Sequence, residues 1–121
     1  MMNQDIHQSS QLSTIAEMLV SHDRPVSLFT LSWCSYCHAV KQLLRQINVP
    51  FTEYELDSGD YAAEANHQRL RQELQQLTNS RTLPQVFVAK QSVGGYTETQ
   101  SAIRSGQFSD WLSRATGETD A

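Results

Sequence analysis

The chain has 121 residues and a formal charge of −4, a size that buries one hydrophobic core without staples. Nucleic-acid and anionic-membrane roles need clustered Lys and Arg, and the densest basic cluster here is Arg69 with Arg71 among acidic neighbours. No stretch approaches the roughly 18 apolar residues of a membrane helix, and Met1 to Gln11 lacks a basic-then-apolar leader, so the expected compartment is cytoplasmic.

Residues 1–12 read as a polar, disordered extension. From Ser13, a candidate N-cap, Ile15, Met18 and Leu19 fall on one helical face, and Pro25 sets a stop near Asp23-Arg24. Val26 to Thr30 predicts a short buried strand, and the cysteines follow at once. Ala39, Val40, Leu43, Leu44 and Ile47 recur at helical spacing up to Pro50. Phe51 to Leu56 predicts a second strand, Asp57 to Asp60 a turn, and Glu64 to Leu77 a helix with Leu70, Leu74 and Leu77 inward.

Gln85 to Val88 predicts a third strand directly after Pro84. Ala89 and Lys90 connect it tightly to a fourth that ends at Gly94-Gly95. Thr97 to Arg104 and Phe108 to Arg114 predict two terminal helices, with Thr97-x-x-Gln100 as a capping box. One βαβ crossover plus a terminal hairpin implies an α/β fold: a four-stranded mixed sheet flanked by helices, with an extra N-terminal helix. The folded domain is expected over 13–115, and 116–121 as a flexible tail.

The two cysteines are spaced Cys34-Ser35-Tyr36-Cys37, between a strand and a helix. A thiol at a helix N-terminus faces unpaired N–H groups and the positive end of the dipole. Both favour the thiolate and lower the pKa from about 8.5, making Cys34 the expected nucleophile. Cys37, one turn on, can attack a mixed disulfide on Cys34. A zinc site would need a second ligand pair, which the sequence lacks. Cys34-x-x-Cys37-His38 also matches the haem-attachment string, but that chemistry goes with export, so His38 is read as a helix-surface residue.

Thr82-Leu83-Pro84 opens the third strand, where a cis proline beside the cysteines would leave the Leu83 backbone free to pair with an extended thiol peptide. Gly94-Gly95-Tyr96-Thr97-Glu98 gives a tight turn into a helix start, a site for a carboxylate.

Trp33-Cys34-Ser35-Tyr36-Cys37, then Thr82-Leu83-Pro84, then Gly94-Gly95, over roughly residues 24 to 115, resembles the glutaredoxin family, in its W-C-S-Y-C dithiol subgroup. The resemblance implies a thioredoxin fold and a glutathione-dependent thiol–disulfide oxidoreductase that reduces protein–glutathione mixed disulfides and protein disulfides. It implies that Cys34 and Cys37 are catalytic, and that Tyr36, Arg69, Thr82, Leu83, Pro84, Gly95, Tyr96, Thr97 and Glu98 bind glutathione. Gly95, Tyr96 and Thr97 would hold the γ-glutamyl carboxylate, and Arg69 the glycyl carboxylate. Implied partners are glutathione and glutathionylated or disulfide-bonded proteins, with a monomeric chain and no nucleic acid or membrane.

Two alternatives come with the resemblance. One is an iron–sulfur cluster of the 2Fe–2S type, bridging a dimer through Cys34 and two glutathiones. The other is an electron donor fed by thioredoxin reductase. The chain departs from the family pattern at Leu31, where the family usually has Lys, at Tyr96 in place of the Cys of Gly-Gly-Cys, and at Glu98, where Asp is common.

Overall fold

A computed structural model describes residues 13–117. The expected frayed extension 1–12 lies outside the described residues, as do residues 118–121 of the expected tail. The elements are α1 (Ile15–Val20), β1 (Val26–Thr30), α2 (Ser35–Gln46), β2 (Phe51–Glu55), a 3-10 turn (Gly59–Ala62), α3 (Glu64–Thr78), β3 (Gln85–Val88), β4 (Gln91–Gly94), α4 (Tyr96–Ser105) and α5 (Gln107–Thr116). None of these helices is long and apolar enough to cross a membrane.

The sheet order is β2-β1-β3-β4. β1 runs parallel to β2 and antiparallel to β3, and β3 runs antiparallel to β4. This is the expected mixed four-stranded sheet. β1 is central, every one of its residues is buried, and its alternate side chains feed two cores. Phe29 packs with Ile15, Met18, Leu19, Leu31, Leu56, Leu70, Leu74 and Phe87 under α1 and α3. Val26 and Leu28 pack with Val40, Leu44, Val86, Val88, Ala102 and Phe108 under α2, α4 and α5. Each fully buried side chain of this size contributes about 1.5–3 kcal/mol, so the two cores together fix where the end of β1 delivers the cysteines.

Three local expectations are corrected. The cap of α1 is Thr14, not Ser13. Thr14 Oγ1 accepts the Glu17 N–H at 3.1 Å while Glu17 Oε1 accepts the Thr14 N–H at 3.0 Å, and a Glu three residues on is available only to Thr14. At α4 the cap is Gly95 rather than Thr97, and only the acid's half of a capping box forms: Glu98 Oε1 accepts the Gly95 N–H at 2.9 Å, glycine has no side chain to return the bond, and the helix begins at Tyr96. Leu77 is 49% exposed, because the last turn of α3 reaches the rim of a groove shared with Leu19 and Val20.

Gly94 closes β4 at φ +119°, where a Cβ would sit 2.8 Å from Glu98 Cβ. Both strain and contact oppose a side chain. Gly94→Ala is expected to destabilise by roughly 1–3 kcal/mol, read as a lower urea midpoint at unchanged slope. An unchanged midpoint would show that the turn relaxes freely.

Just past β2, the two oxygens of Asp57 accept the Ser32 N–H at 3.0 and 3.2 Å, and Oδ2 accepts the Ser32 hydroxyl at 2.7 Å. This clamp ties the end of one strand to the loop that carries Cys34. The Ser32 hydroxyl bond is the main reason that the Asp57 carboxyl is held below the usual carboxylate value. A depressed folded pKa means that the contribution is present above the ordinary carboxylate range and is lost as pH falls through the lowered value. Asp57→Ala should lower the amide protection factor at Ser32 several-fold, and acidification through the lowered Asp57 value should lower the same factor in the unmodified protein once the slower intrinsic exchange in acid is divided out. Equal Ser32 protection in both proteins would show that the loop does not depend on the clamp.

Candidate active site

Cys34 is the N-cap of α2, with extended backbone, and its Sγ accepts the Cys37 N–H at 3.1 Å. A sulfur here takes the place usually held by a Ser, Thr or Asp oxygen, so the first-turn donors of α2 point at the reactive atom. The loop before it is anchored three ways. The Cys34 N–H donates to Leu31 O at 3.4 Å, Asp57 holds Ser32, and His38 Nε2 lies 3.3 Å from Ser32 O. His38 itself is exposed on α2.

The two thiols differ sharply. Both are free, Cys34 half-buried and Cys37 fully enclosed at 0% exposure. Burial first, then a hydrogen bond to Cys34, pushes the Cys37 thiol up to about 12, with the Leu31 backbone and the Lys41 charge pulling the other way. Cys37 is therefore a neutral thiol at ordinary pH and Cys34 is the accessible sulfur.

The three motifs converge. The Cys34 thiol lies 3.7 Å from Leu83 O, and the Leu83–Pro84 bond is cis. A Cβ on Gly95 would stand 3.5 Å from Pro84 O, so the Gly94-Gly95 turn backs directly onto the proline. The Tyr36 and Tyr96 rings lie 6.1 Å apart, joining the first motif to the third. Trp33 and Tyr36 project beside Cys34 at 76% and 65% exposure. The Leu83 N–H takes no partner among the described residues.

At α4 the Gly95 N–H is already occupied by the Glu98 carboxylate. The open donors at this helix start are therefore the N–H groups of Tyr96, Thr97 and Glu98, and the Glu98 side chain places an acid beside them. Leu31, where the family usually has a cation, is buried in the core under α1 and α3.

Arg69 is directed elsewhere than the sequence reading placed it. Its guanidinium donates to Ser13 O at 2.9 Å and bonds Asn66 Oδ1, in a recess with Glu53, Glu55 and Asp60 that no motif residue lines. The cations beside Thr82 are Arg71 and Arg81. Arg71 Nη2 donates to Arg81 O at 2.9 Å, Arg81 Nε to Gln75 Oε1 at 3.1 Å, and both line an open recess of about 600 Å³ with His67. His67 Nδ1 contacts Leu56 O at 2.7 Å, which makes it the donor and turns Nε2 toward Arg71. The signal for Arg81 was its place one residue before Thr82.

Gln85 was also missed. It is buried, and its Nε2 donates to Thr82 O at 2.8 Å, holding the proline loop from beneath. A polar residue at the head of an otherwise apolar strand was the available sign.

A 2Fe–2S cluster usually takes four thiolates. Cys37 is enclosed, and no three His, Cys, Asp or Glu side chains gather as metal ligands among the described residues. One chain offers Cys34 alone and does not by itself hold such a group.

A glutaredoxin family model matches residues 26–93, more than half of the chain. Monothiol glutaredoxin-S10 of rice is 36% identical over 91 residues, covering 75% of this chain and 53% of the rice protein. Glutaredoxin-1 of Sus scrofa is 35% identical over 83 residues, covering 69% of this chain and 76% of its own. The crystal structure of a buckwheat glutaredoxin–glutathione complex superposes with a TM-score of 0.70 at 24% identity, covering 94% of this chain and 92% of that one, and so shares the thioredoxin fold. With its fold, its C-x-x-C at a helix start and its family match in agreement, the chain belongs to the glutaredoxin family of thiol–disulfide oxidoreductases.

Proposed function

We propose that the chain reduces protein–glutathione mixed disulfides, and protein disulfides, with glutathione as co-substrate in a reducing, cytoplasmic setting. The observation that carries this reading is the meeting of the three motifs around one accessible sulfur: Cys34 against Leu83, Pro84 against Gly95, and Tyr36 beside Tyr96.

The Cys34 thiolate attacks the glutathione sulfur of the mixed disulfide, and the protein thiol leaves and takes up a proton. A second glutathione, or Cys37, then displaces glutathione from Cys34. The extended tripeptide would lie along Leu83, whose N–H and carbonyl can pair with its cysteinyl unit. Its γ-glutamyl carboxylate suits the Tyr96 and Thr97 amides, and the ammonium beside it suits Glu98. Its glycyl carboxylate suits Arg71 and Arg81 rather than Arg69. The exposed faces of Trp33 and Tyr36 would meet the protein part of the substrate.

Cys34→Ser is expected to be inactive in every thiol-exchange assay. Cys37→Ser should still deglutathionylate and should lose activity on intramolecular protein disulfides. Loss of both activities in Cys37→Ser would refute the glutathione route. So would turnover supported by thioredoxin reductase and not by glutathione with glutathione reductase.

Replacing Arg71 and Arg81 together with Ala should raise KM for glutathione with kcat nearly unchanged, the mark of lost uniform binding. Partly exposed ion pairs are worth roughly 0–1 kcal/mol each, so up to about a thirtyfold rise is expected for the two together. An unchanged KM would place the glycyl carboxylate elsewhere.

A further inference from the structure

We propose that Lys41, held against β2 by Glu53, supplies the positive charge that lets the enclosed Cys37 thiol act as nucleophile in the second half of dithiol exchange. The inference rests on the oxidoreductase reading and extends it to a residue outside the three motifs.

The sheet-facing stripe of α2 is Cys37, Val40, Lys41 and Leu44, at spacings of three and four. Three of these are completely buried and apolar in character. The fourth is a lysine whose side chain is only 13% exposed. Its Nζ lies 3.0 Å from Glu53 Oε2, and the same oxygen accepts the hydroxyl of the buried Thr30 at 2.7 Å. This is the one ion pair among the described residues. Thr30 ends β1, immediately before the loop that carries Cys34.

Stability alone does not account for a lysine in that stripe. A partly buried ion pair roughly breaks even against a well-packed apolar pair, because desolvation offsets the attraction. A Met or Leu at position 41 would simply continue the stripe of Val40 and Leu44. What the lysine adds is a cation one helical turn from Cys37.

Cys37 needs one. In the resolving step its thiol loses a proton and its sulfur attacks Cys34 Sγ of the mixed disulfide. The Cys34–Cys37 bond forms, the bond from Cys34 to the partner sulfur breaks, and the partner leaves as a thiolate that takes up a proton. Burial opposes that ionisation, and so does a negative Cys34. The ionisable groups acting on Cys37 are Cys34, which raises its pKa, and Lys41, which lowers it. Once Cys34 is in the mixed disulfide it carries no charge, and the Lys41 field acts unopposed except by Glu53. Glu53 thus fixes the ammonium in place and damps its field.

The pair predicts opposite effects from its two members, which a merely structural role does not. Full-length protein carrying a chromogenic aromatic thiol as a mixed disulfide on Cys34 reports the step as release of that thiol by Cys37. Monothiol exchange with a glutathionylated peptide is measured on the same preparations. Lys41→Gln should slow release at neutral pH about threefold relative to its own monothiol exchange, because the loss of thiolate is partly offset by the greater nucleophilicity of a more basic sulfur, and should move the pH profile of release upward. Lys41→Arg should restore most of the rate. Glu53→Gln should release at least as fast as the unmodified protein. A parallel slowing of release in Lys41→Gln and Glu53→Gln, or an unchanged pH profile in Lys41→Gln, would overturn the inference. Absence of monothiol exchange in the unmodified protein would instead remove the oxidoreductase reading beneath it.

Discussion

The site depends on one contact, the bond from the Cys37 N–H to Cys34 Sγ at the head of α2. It makes a single sulfur both the helix cap and the nucleophile. As a cap, the sulfur orients the first turn and therefore sets where Cys37 and Lys41 face. As a nucleophile, it gains from the same donors and from the helix dipole, because both favour negative charge at that point. Neither role survives if the strand end drifts. The buried β1, the Asp57 clamp on Ser32 and the bond from Cys34 N–H to Leu31 O are the supports that keep the sulfur at the cap.

The same geometry explains why two identical side chains three residues apart have different chemistry. One turn of helix carries Cys37 from the rim to the sheet face, into full burial, while Cys34 stays at the edge of the loop beside Leu83. Desolvation then keeps Cys37 protonated and leaves Cys34 as the sulfur that solvent and substrate meet. The order of events in dithiol exchange follows from this difference in burial, with no further residue needed to choose between the two thiols.

The fold was legible because its elements are bounded by residues with few options. The periodic runs ending at Pro25 and Pro50 and the apolar β1 placed every strand near its observed limits. The C-x-x-C, Leu83-Pro84 and Gly94-Gly95 were legible as separate motifs. Their convergence was not, since it depends on the β1–β3 pairing and on a contact as fine as Gly95 against Pro84 O. Long polar side chains were the hardest to place. Arg69 and Arg71 are two residues apart on α3, which turns them roughly 200° from one another around the helix. A carry-over by approximate position cannot tell them apart, whereas Ser13 O and Arg81 O separate them at once. Glu17 and Glu98 show the same thing at helix starts: each cap was fixed by the reach of an acid three residues away, not by the identity of the capping residue.

Residue 31 is Leu here, where the family pattern usually has a cation. A lysine there would sit at the mouth of the cysteine loop, able to act on both Cys34 and a bound carboxylate. Leu31 instead closes the core under α1 and α3, where Ile15, Met18 and Leu19 of α1 also pack. Cations stand near the motifs in two other places. Arg71 and Arg81 stand next to Thr82, joined through the Arg81 carbonyl. Lys41 stands behind Cys37, on the opposite face of the sheet from α3. A cation at the mouth acts on ligand and nucleophile together, so neither can be tuned alone. On the proposed roles, ligand recognition and the reactivity of the resolving thiol would rest on different residues, Arg71 of α3 with the loop residue Arg81 for the one and Lys41 of α2 for the other.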